Sequence, residues 1–291
     1  MVTIGLLVQQ IINGLFFGGQ LALMAVGFTL IWGVARVLNF AHGGVFMIGA
    51  YSGSFMLALA GNWPLAILVA MAVTFITGVV TEALLVRPLR RREEFDIASI
   101  IVTLGLWFVL EHSMRLIFSS EQRAVEPITR EIWVVQDIVI SVNRLIVFVI
   151  SVAAIASLFA LIKYTKFGLA IRAAAEDDQT TKLMGVNLPR TYALTFGIST
   201  ALAGLAGILL SPTFAVYPAV GDRPFLLAFI VVMIGGLGSI RGTLIAAITL
   251  ALIRSVALIW VSAEISMIIL FGFMAIVLIL SPRGIGGVID Q

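Results

Sequence analysis

Few side chains in this sequence can do chemistry. His42 and His112 are the 2 histidines, and there is no cysteine. No His-Glu-x-x-His run and no acidic cluster at metal-ligand spacing accompanies them, so a metal centre is not expected. Ser113 follows His112, but adjacent positions on a helix do not face each other. No Gly-x-Ser-x-Gly elbow or serine–lysine pair is present either, which argues against an intramembrane hydrolase. Gly236-x-Gly238 is a fragment of a dinucleotide fingerprint, without a preceding strand or a following acidic residue, and reads as a helix break. No Gly-x-x-x-x-Gly-Lys-Ser/Thr occurs, so ATP binding through a P-loop is not expected of this chain.

Polar groups inside apolar stretches say more. Glu111 and Arg115 stand at the i, i+4 spacing that lets a helix neutralise them against each other. Glu82 lies about one turn before Arg87 and is expected to snorkel toward the interface. The knot of Arg36, Asn39 and His42 beside Gly43-Gly44 needs water or protein around it. Asn13 and Gln20 are further polar groups in the first apolar stretch. Asn13, Gln20, Asn39 and His42 are therefore the candidates for a translocation path, with buried inter-helix hydrogen bonds as the competing reading.

Such residues have to be positioned by helices in a bilayer. Of the 291 residues, 61% are hydrophobic and 11% charged, and the mean hydropathy is +1.14. A soluble domain carries about 25% charged residues, so a soluble enzyme with a large core is excluded. The formal charge of +3 fits Lys and Arg gathered in cytoplasmic loops rather than nucleic-acid binding. The opening MVTIGLLVQQ lacks the charged region and small-residue cleavage site of a signal peptide, so the first apolar stretch is expected to be retained.

Apolar stretches at 6–34, 45–60, 65–86, 97–118, 145–162, 191–210, 225–260 and 266–280 predict an all-α, polytopic membrane fold. The span count is eight or nine, depending on whether 225–260 is one broken element or two. A helix over 6–34 would be about 43 Å long against a hydrocarbon core of about 30 Å. Strong tilt, or a break near Gly18-Gly19 or Gly33, is expected there. Arg87, Arg90, Arg91 and Arg92 mark a cytoplasmic end. The polar stretch 119–144, with Glu121, Glu126, Glu131 and Asp137, then lies outside, and the proline-bearing loop 211–224 is external or partly re-entrant. Gly14 and Gly18, Gly49 and Gly53, and Ala203 and Gly207 repeat small residues at the spacing of close helix packing.

Residues 163–190, KYTKFGLAIRAAAEDDQTTKLMGVNLPR, interrupt the apolar pattern on the same side as the arginine cluster. Thr165 can cap a short helix that places Phe167, Ile171 and Ala175 on one face. Asp177 or Asp178 can open a second helix, with Lys182 as its ion-pair partner, and Gly185 can close it in a left-handed conformation. Asn187 and Pro189 then start the next long helix. An ordered helix pair hung between spans is expected to have a docking partner.

Residues 13–51, NGLFFGGQLALMAVGFTLIWGVARVLNFAHGGVFMIGAY, resemble the opening of the branched-chain amino acid permeases of ATP-binding cassette importers. TKFGLAIRAAAEDDQTTKLMGVNLPR at 165–190 is similar to that family's cytoplasmic loop. GGLGSIRG at 235–242 and Pro282-Arg283-Gly284 are similar to its later motifs. These matches run in order along nearly the whole chain, and its length and Asn-Phe-Ala-His-Gly run resemble the shorter, H-type permease of the usual pair. Thr181 stands where the family often has Ala, and Arg241 where Pro is common.

The resemblance implies one permease domain over 1–291 with a type II-like importer fold, in the bacterial cytoplasmic (inner) membrane. It implies no cofactor, no enzymatic activity of its own and no nucleic-acid partner. The implied partners are two ATPase subunits, a second, paralogous permease and an external substrate-binding protein. The implied substrate is Leu, Ile, Val or another neutral amino acid. The loop 163–190 becomes a coupling element in which Gly168, Arg172, Ala175, Glu176, Asp177, Leu183 and Gly185 meet the ATPase. The competing class is an ATP-independent secondary transporter of a small polar solute that uses Glu82, Glu111 or His112 as an ion relay.

Overall fold

The computed structural model describes residues 4–135, 138–282 and 284–286. Asp137 and Arg283 lie outside the described residues. The first part of the chain forms α1 (Ile4–Ala35), α2 (His42–Ala60) and α3 (Trp63–Val80). A π-helical turn (Thr81–Val86) carries α3 into α4 (Arg87–Leu89), and α5 (Phe95–Phe118) follows. Strands β1 (Ile132–Val135) and β2 (Ile138–Ser141) then precede α6 (Val142–Tyr164), α7 (Lys166–Glu176) and α8 (Asp178–Leu183). The chain continues through α9 (Leu188–Phe214), α10 (Asp222–Gly235), α11 (Ile240–Ala257) and α12 (Ala263–Leu280). Among the described residues 8 helical segments are long and apolar enough to cross a membrane, α3 and α4 counting as one. The 14 residues of α10 reach only about 21 Å, so it crosses part of the bilayer.

Two faces follow from the contacts. At one, Arg90 Nη2 donates to the carbonyl of Ala35 at 3.2 Å, and Arg87 Nη2 donates to that of Pro189 at 3.2 Å. The arginine cluster, the end of α1 and the start of α9 thus share a level, which positive charge places in the cytoplasm. At the other face, Gln9 exchanges two hydrogen bonds with the backbone of Val139, at 2.9 and 2.7 Å. The antiparallel hairpin there is built from Ile-Trp-Val-Val and Ile-Val-Ile-Ser runs, rich in β-branched residues. Its side-chain pattern is too short to stand out in the polar stretch 119–144.

Of the tilt or break expected of the first helix, the break is absent. α1 is continuous for 32 residues. Its outer turns project to the hairpin, so its length need not match the hydrocarbon thickness. The break comes after it, at Arg36, whose φ of 55° stops the helix. The glycines serve close approach instead: a Cβ on Gly18 would stand 3.2 Å from Ala251 Cβ and from Ile248 Cα. In 225–260 two elements form around a tight turn, where Gly236 and Gly238 take φ of 94° and 87°.

α1 and α9 are the core, with 89% of the most apolar stretch of each buried, whereas α5 and α12 bury 11% of theirs and turn apolar faces outward. The small-residue pairs bring helices together: Gly49 faces Gly204, Gly53 faces Ile208, and Gly207 faces the backbone of Phe46. A Cβ on Gly49 would stand 2.3 Å from Gly204 Cα, while one on Gly105 meets nothing within 4 Å. Gly49→Val is therefore expected to cost about 1–3 kcal/mol or more through overpacking. Gly105→Ala should be neutral or stabilising by about 0.5–1 kcal/mol. Thermal-shift size-exclusion of the two variants in detergent checks both signs.

Candidate functional site

The cytoplasmic helix pair forms as its capping residues dictate. Thr165 accepts from Gly168 N at 2.9 Å and opens α7. Gly168 lets α7 fold directly back on α6, since a Cβ there would stand 2.2 Å from the Ile162 carbonyl. Arg172 donates to that same carbonyl at the basic-preferring C-terminal end of α6. Asp177, not Asp178, caps α8, and Gly185 closes it with φ of 80°. Lys182 makes no ion pair among the described residues. Asn187 accepts from Arg190 N at 3.0 Å and starts α9. Ile171 and Ala174 are buried, whereas Leu183, Met184 and Leu169 are 87%, 79% and 61% exposed, beyond the spanning segments.

Arg90 ties this layer to the membrane core. Its guanidinium lies 3.9 Å from the Tyr192 ring centroid and 5.1 Å from that of Phe95. Burial lowers its pKa, and the carboxylates of Glu82 and Asp178 oppose that shift. Glu82 is fully buried and held bidentately by Arg87, at 2.5 and 3.3 Å. The π-helical turn supplies this spacing, with the Arg87 N–H reaching the Glu82 carbonyl five residues back.

Between Ala35 and His42 the chain turns back into the membrane. His42 Nε2 stands 3.3 Å from the carbonyl of Met24, so Nε2 carries the proton. Met24 is eleven residues, or about 16 Å, above the end of α1, so α2 begins near mid-bilayer. The start of α10 meets it there, with the Gly221 Cα site against the carbonyl of Gly43. Phe28, Phe40, Trp107, Phe225 and Phe229 close around the junction, with ring centroids 5.0 to 6.3 Å apart.

On the outer side of this junction lies a cavity of about 360 Å³. α1, α9, α10, α11 and α12 line it. Leu21, Met24, Leu210, Leu227 and Met267 give it an apolar wall, and Gln20, Arg223, Arg254 and Glu264 give it polar groups. No group of three or more metal-ligating side chains exists among the described residues.

Residues 10–278 match the family described as branched-chain amino acid transport system / permease component. The chain belongs to that family. It is 30% identical to the high-affinity branched-chain amino acid transport system permease protein LivH of Escherichia coli (strain K12), over 96% of this chain and 95% of that protein. It is 32% identical to the permease protein BraD of Pseudomonas aeruginosa, with the same coverage. Its fold resembles a chain of PsaBC from Streptococcus pneumoniae in complex with Fab, with a TM-score of 0.50, 13% identity, and 93% of this chain and 91% of that chain covered.

In this permease the four polar residues read from the sequence fall in different places. Gln20 lines the cavity. Asn13 sits at the outer end of α1, where it accepts from Arg144 Nη1 at 3.1 Å. Asn39 is buried with both amide atoms unpartnered, and His42 Nδ1 is likewise unpartnered. The seven loop residues divide as well. Gly168, Arg172, Asp177 and Gly185 shape the helix pair; Ala175 is half-buried; Glu176 and Leu183 are exposed on it. Sequence reasoning missed Arg223, Arg254 and Glu264, which sit at the ends of three different helices. It also missed Leu169 and Met184, whose exposure depends on which face α6 covers.

Hydrogen bonds from the Thr180 hydroxyl and from the backbone of Thr180 and Gln179 hold the Asp177 carboxyl below the usual carboxylate range. A depressed carboxylate contributes above its ordinary pKa, and that contribution vanishes as pH falls through the lowered value. Hydrogen-exchange protection in α8 should therefore hold from pH 7 down to about 4 and decline below. Asp177→Ala should lose protection at neutral pH and approach the native protein at low pH, and Asp177→Asn should remove the pH dependence.

Proposed function

We propose that this chain is the membrane-spanning subunit of an ATP-binding cassette importer for leucine, isoleucine, valine or another neutral amino acid, and that residues 163–190 are where separate ATPase subunits couple to it. One permease domain carries both the path and this loop. The observation that carries the reading is the pair α7 and α8, doubly capped and pinned to α6, with exposed Leu169, Leu183 and Met184 beyond the spanning helices. An apolar surface of that kind in water is stabilised by burial against a partner. The absence of a P-loop from the sequence supports a partner that supplies ATP hydrolysis.

Motion of the ATPases would reach the spans through three ties. Arg172 and Gly168 join α7 to the end of α6, Asn187 starts α9 directly after α8, and Arg90 links Tyr192 of α9 to the end of α1. A push on the pair thus tilts helices that border the cavity and the junction at His42, which is how access would alternate. A second, paralogous permease and an external substrate-binding protein complete the assembly.

The relay alternative finds less support in the geometry. Glu82 is neutralised by Arg87, and Glu111 by Arg115 at 2.7 Å. His112 Nδ1 is engaged by its own helix, 2.9 Å from the Phe108 carbonyl.

Gly185→Val forces a β-branched residue into left-handed backbone at a cost of about 1–2 kcal/mol. It should abolish ATP-driven leucine uptake while the protein still inserts and elutes with its partners. Purification in mild detergent should bring down an ATPase pair and a second permease. A lone homo-oligomer that takes up solute on a pH gradient without ATP would overturn the reading.

A further inference from the structure

The cavity between α1, α9, α10, α11 and α12 is lined by one arginine that packing does not explain, Arg254, together with the exposed Arg223 and Glu264. Arg254 lays its guanidinium 4.8 Å from the ring centroid of Phe17, and its Nε is buried without a hydrogen-bond partner. Neither Arg254 nor Arg223 makes an ion pair among the described residues, although Glu264 lines the same space. A guanidinium held against an apolar wall with a buried Nε–H unsatisfied is costly unless an acceptor completes it, and a carboxylate fits its planar fork.

The remaining lining has complementary chemistry. Glu264 is an acceptor for a cation, and Gln20 offers an amide that can donate or accept. The walls from Leu21, Met24 and Leu227 accept an aliphatic chain. At about 360 Å³ the space falls in the range of small-molecule sites, roughly 300–1,000 Å³.

We infer that this cavity is a binding site within the membrane subunit for a zwitterionic amino acid with an aliphatic side chain. Arg254 holds the α-carboxylate, Glu264 holds the ammonium group, and the side chain lies among Leu21, Met24 and Leu227. The assignment rests on the importer reading and deepens it, by placing solute recognition inside this chain as well as in an external protein. An acidic group beside the arginines fits a dipolar solute; it would oppose the phosphate of a lipid headgroup. A site that must also release its solute onward binds weakly.

Saturation-transfer NMR on the leucine methyl groups tests this, using the importer complex purified through a tag on this chain, without the external protein. The signal should saturate with leucine, and Arg254→Gln and Glu264→Gln should each raise the midpoint at least tenfold. Arg254→Lys should recover part of the loss. 4-Methylpentanoate, which lacks the ammonium, should depend on Arg254 and not on Glu264; isopentylamine should show the reverse. Leu227→Phe should weaken leucine and spare glycine, a readout that stands even where Arg254→Gln does not assemble. Unchanged midpoints in the arginine and glutamate variants would overturn the assignment. So would displacement of leucine by phosphatidylglycerol equally in the native protein and in Glu264→Gln, which would mark a lipid site. ATP-driven leucine uptake by the native complex with its external protein is measured alongside. Uptake with unchanged midpoints sinks the cavity alone, whereas no amino acid uptake sinks the importer reading itself.

Discussion

Peptide groups in hydrocarbon cannot go unpaired, and the segment from Arg36 to Ala41 is where this protein meets that constraint. The segment is not helical, yet it returns from the cytoplasmic end of α1 to the middle of the membrane. Thr103 makes this possible. Its hydroxyl accepts from Phe40 N at 3.2 Å and stands 3.2 Å from the carbonyl of Leu38, so one side chain on α5 serves the backbone of the returning strand. His42 N donates to the Asn39 carbonyl, and His42 Nε2 reaches Met24 on α1. Because α2 then starts at mid-depth, α10 can start beside it, and the aromatic cluster around Phe225 seals what would otherwise be a gap between two half-crossing elements.

The unpaired amide of Asn39 and the unpaired Nδ1 of His42 stand at this junction. Buried polar atoms without partners cost about 1–3 kcal/mol each. Their place is the part of the chain where helices are broken and where relative movement of α1, α2 and α10 would change the backbone pairing first. Directly outward lies the cavity, with Met24 common to both.

The cytoplasmic layer solves a different problem. In the proposed coupling, force from separate ATPase subunits would have to enter through residues 163–190 without being absorbed in a flexible loop. Here both short helices are capped, and the joints on either side are tight: Gly168 leaves no room between α7 and α6, and a single short turn separates α8 from α9. The arginines extend this stiffness inward, Arg87 onto a fully buried Glu82 and Arg90 onto the last carbonyl of α1. Removing Arg87 would strand the charge of the fully buried Glu82, which is far costlier than the pair is stabilising, whereas Arg87 is exposed enough to be solvated without its partner.

Composition and local pattern determined the class, the number of apolar stretches, the cytoplasmic side and the caps of the 163–190 loop. These are properties of near neighbours: a threonine or aspartate before a helix caps it whatever packs above. The small-residue pairs were legible as contact points, and the structure seats Gly49 on Gly204 as such spacing requires. What the sequence left open was every feature that depends on distant residues meeting. The choice of Asp177 over Asp178 as cap, the continuity of α1, the hairpin and its tie to Gln9 belong to that class. So does the separation of Asn13 from Gln20, seven positions apart on one helix but facing different neighbours. The arginines and the glutamate of the cavity carried no local signal, because Arg223, Arg254 and Glu264 are ordinary helix-end charges until three helices bring them to one space. Short-range hydrogen bonds and hydropathy act along the chain and can be read from it; burial and charge pairing act across it, and only the packed structure decides them.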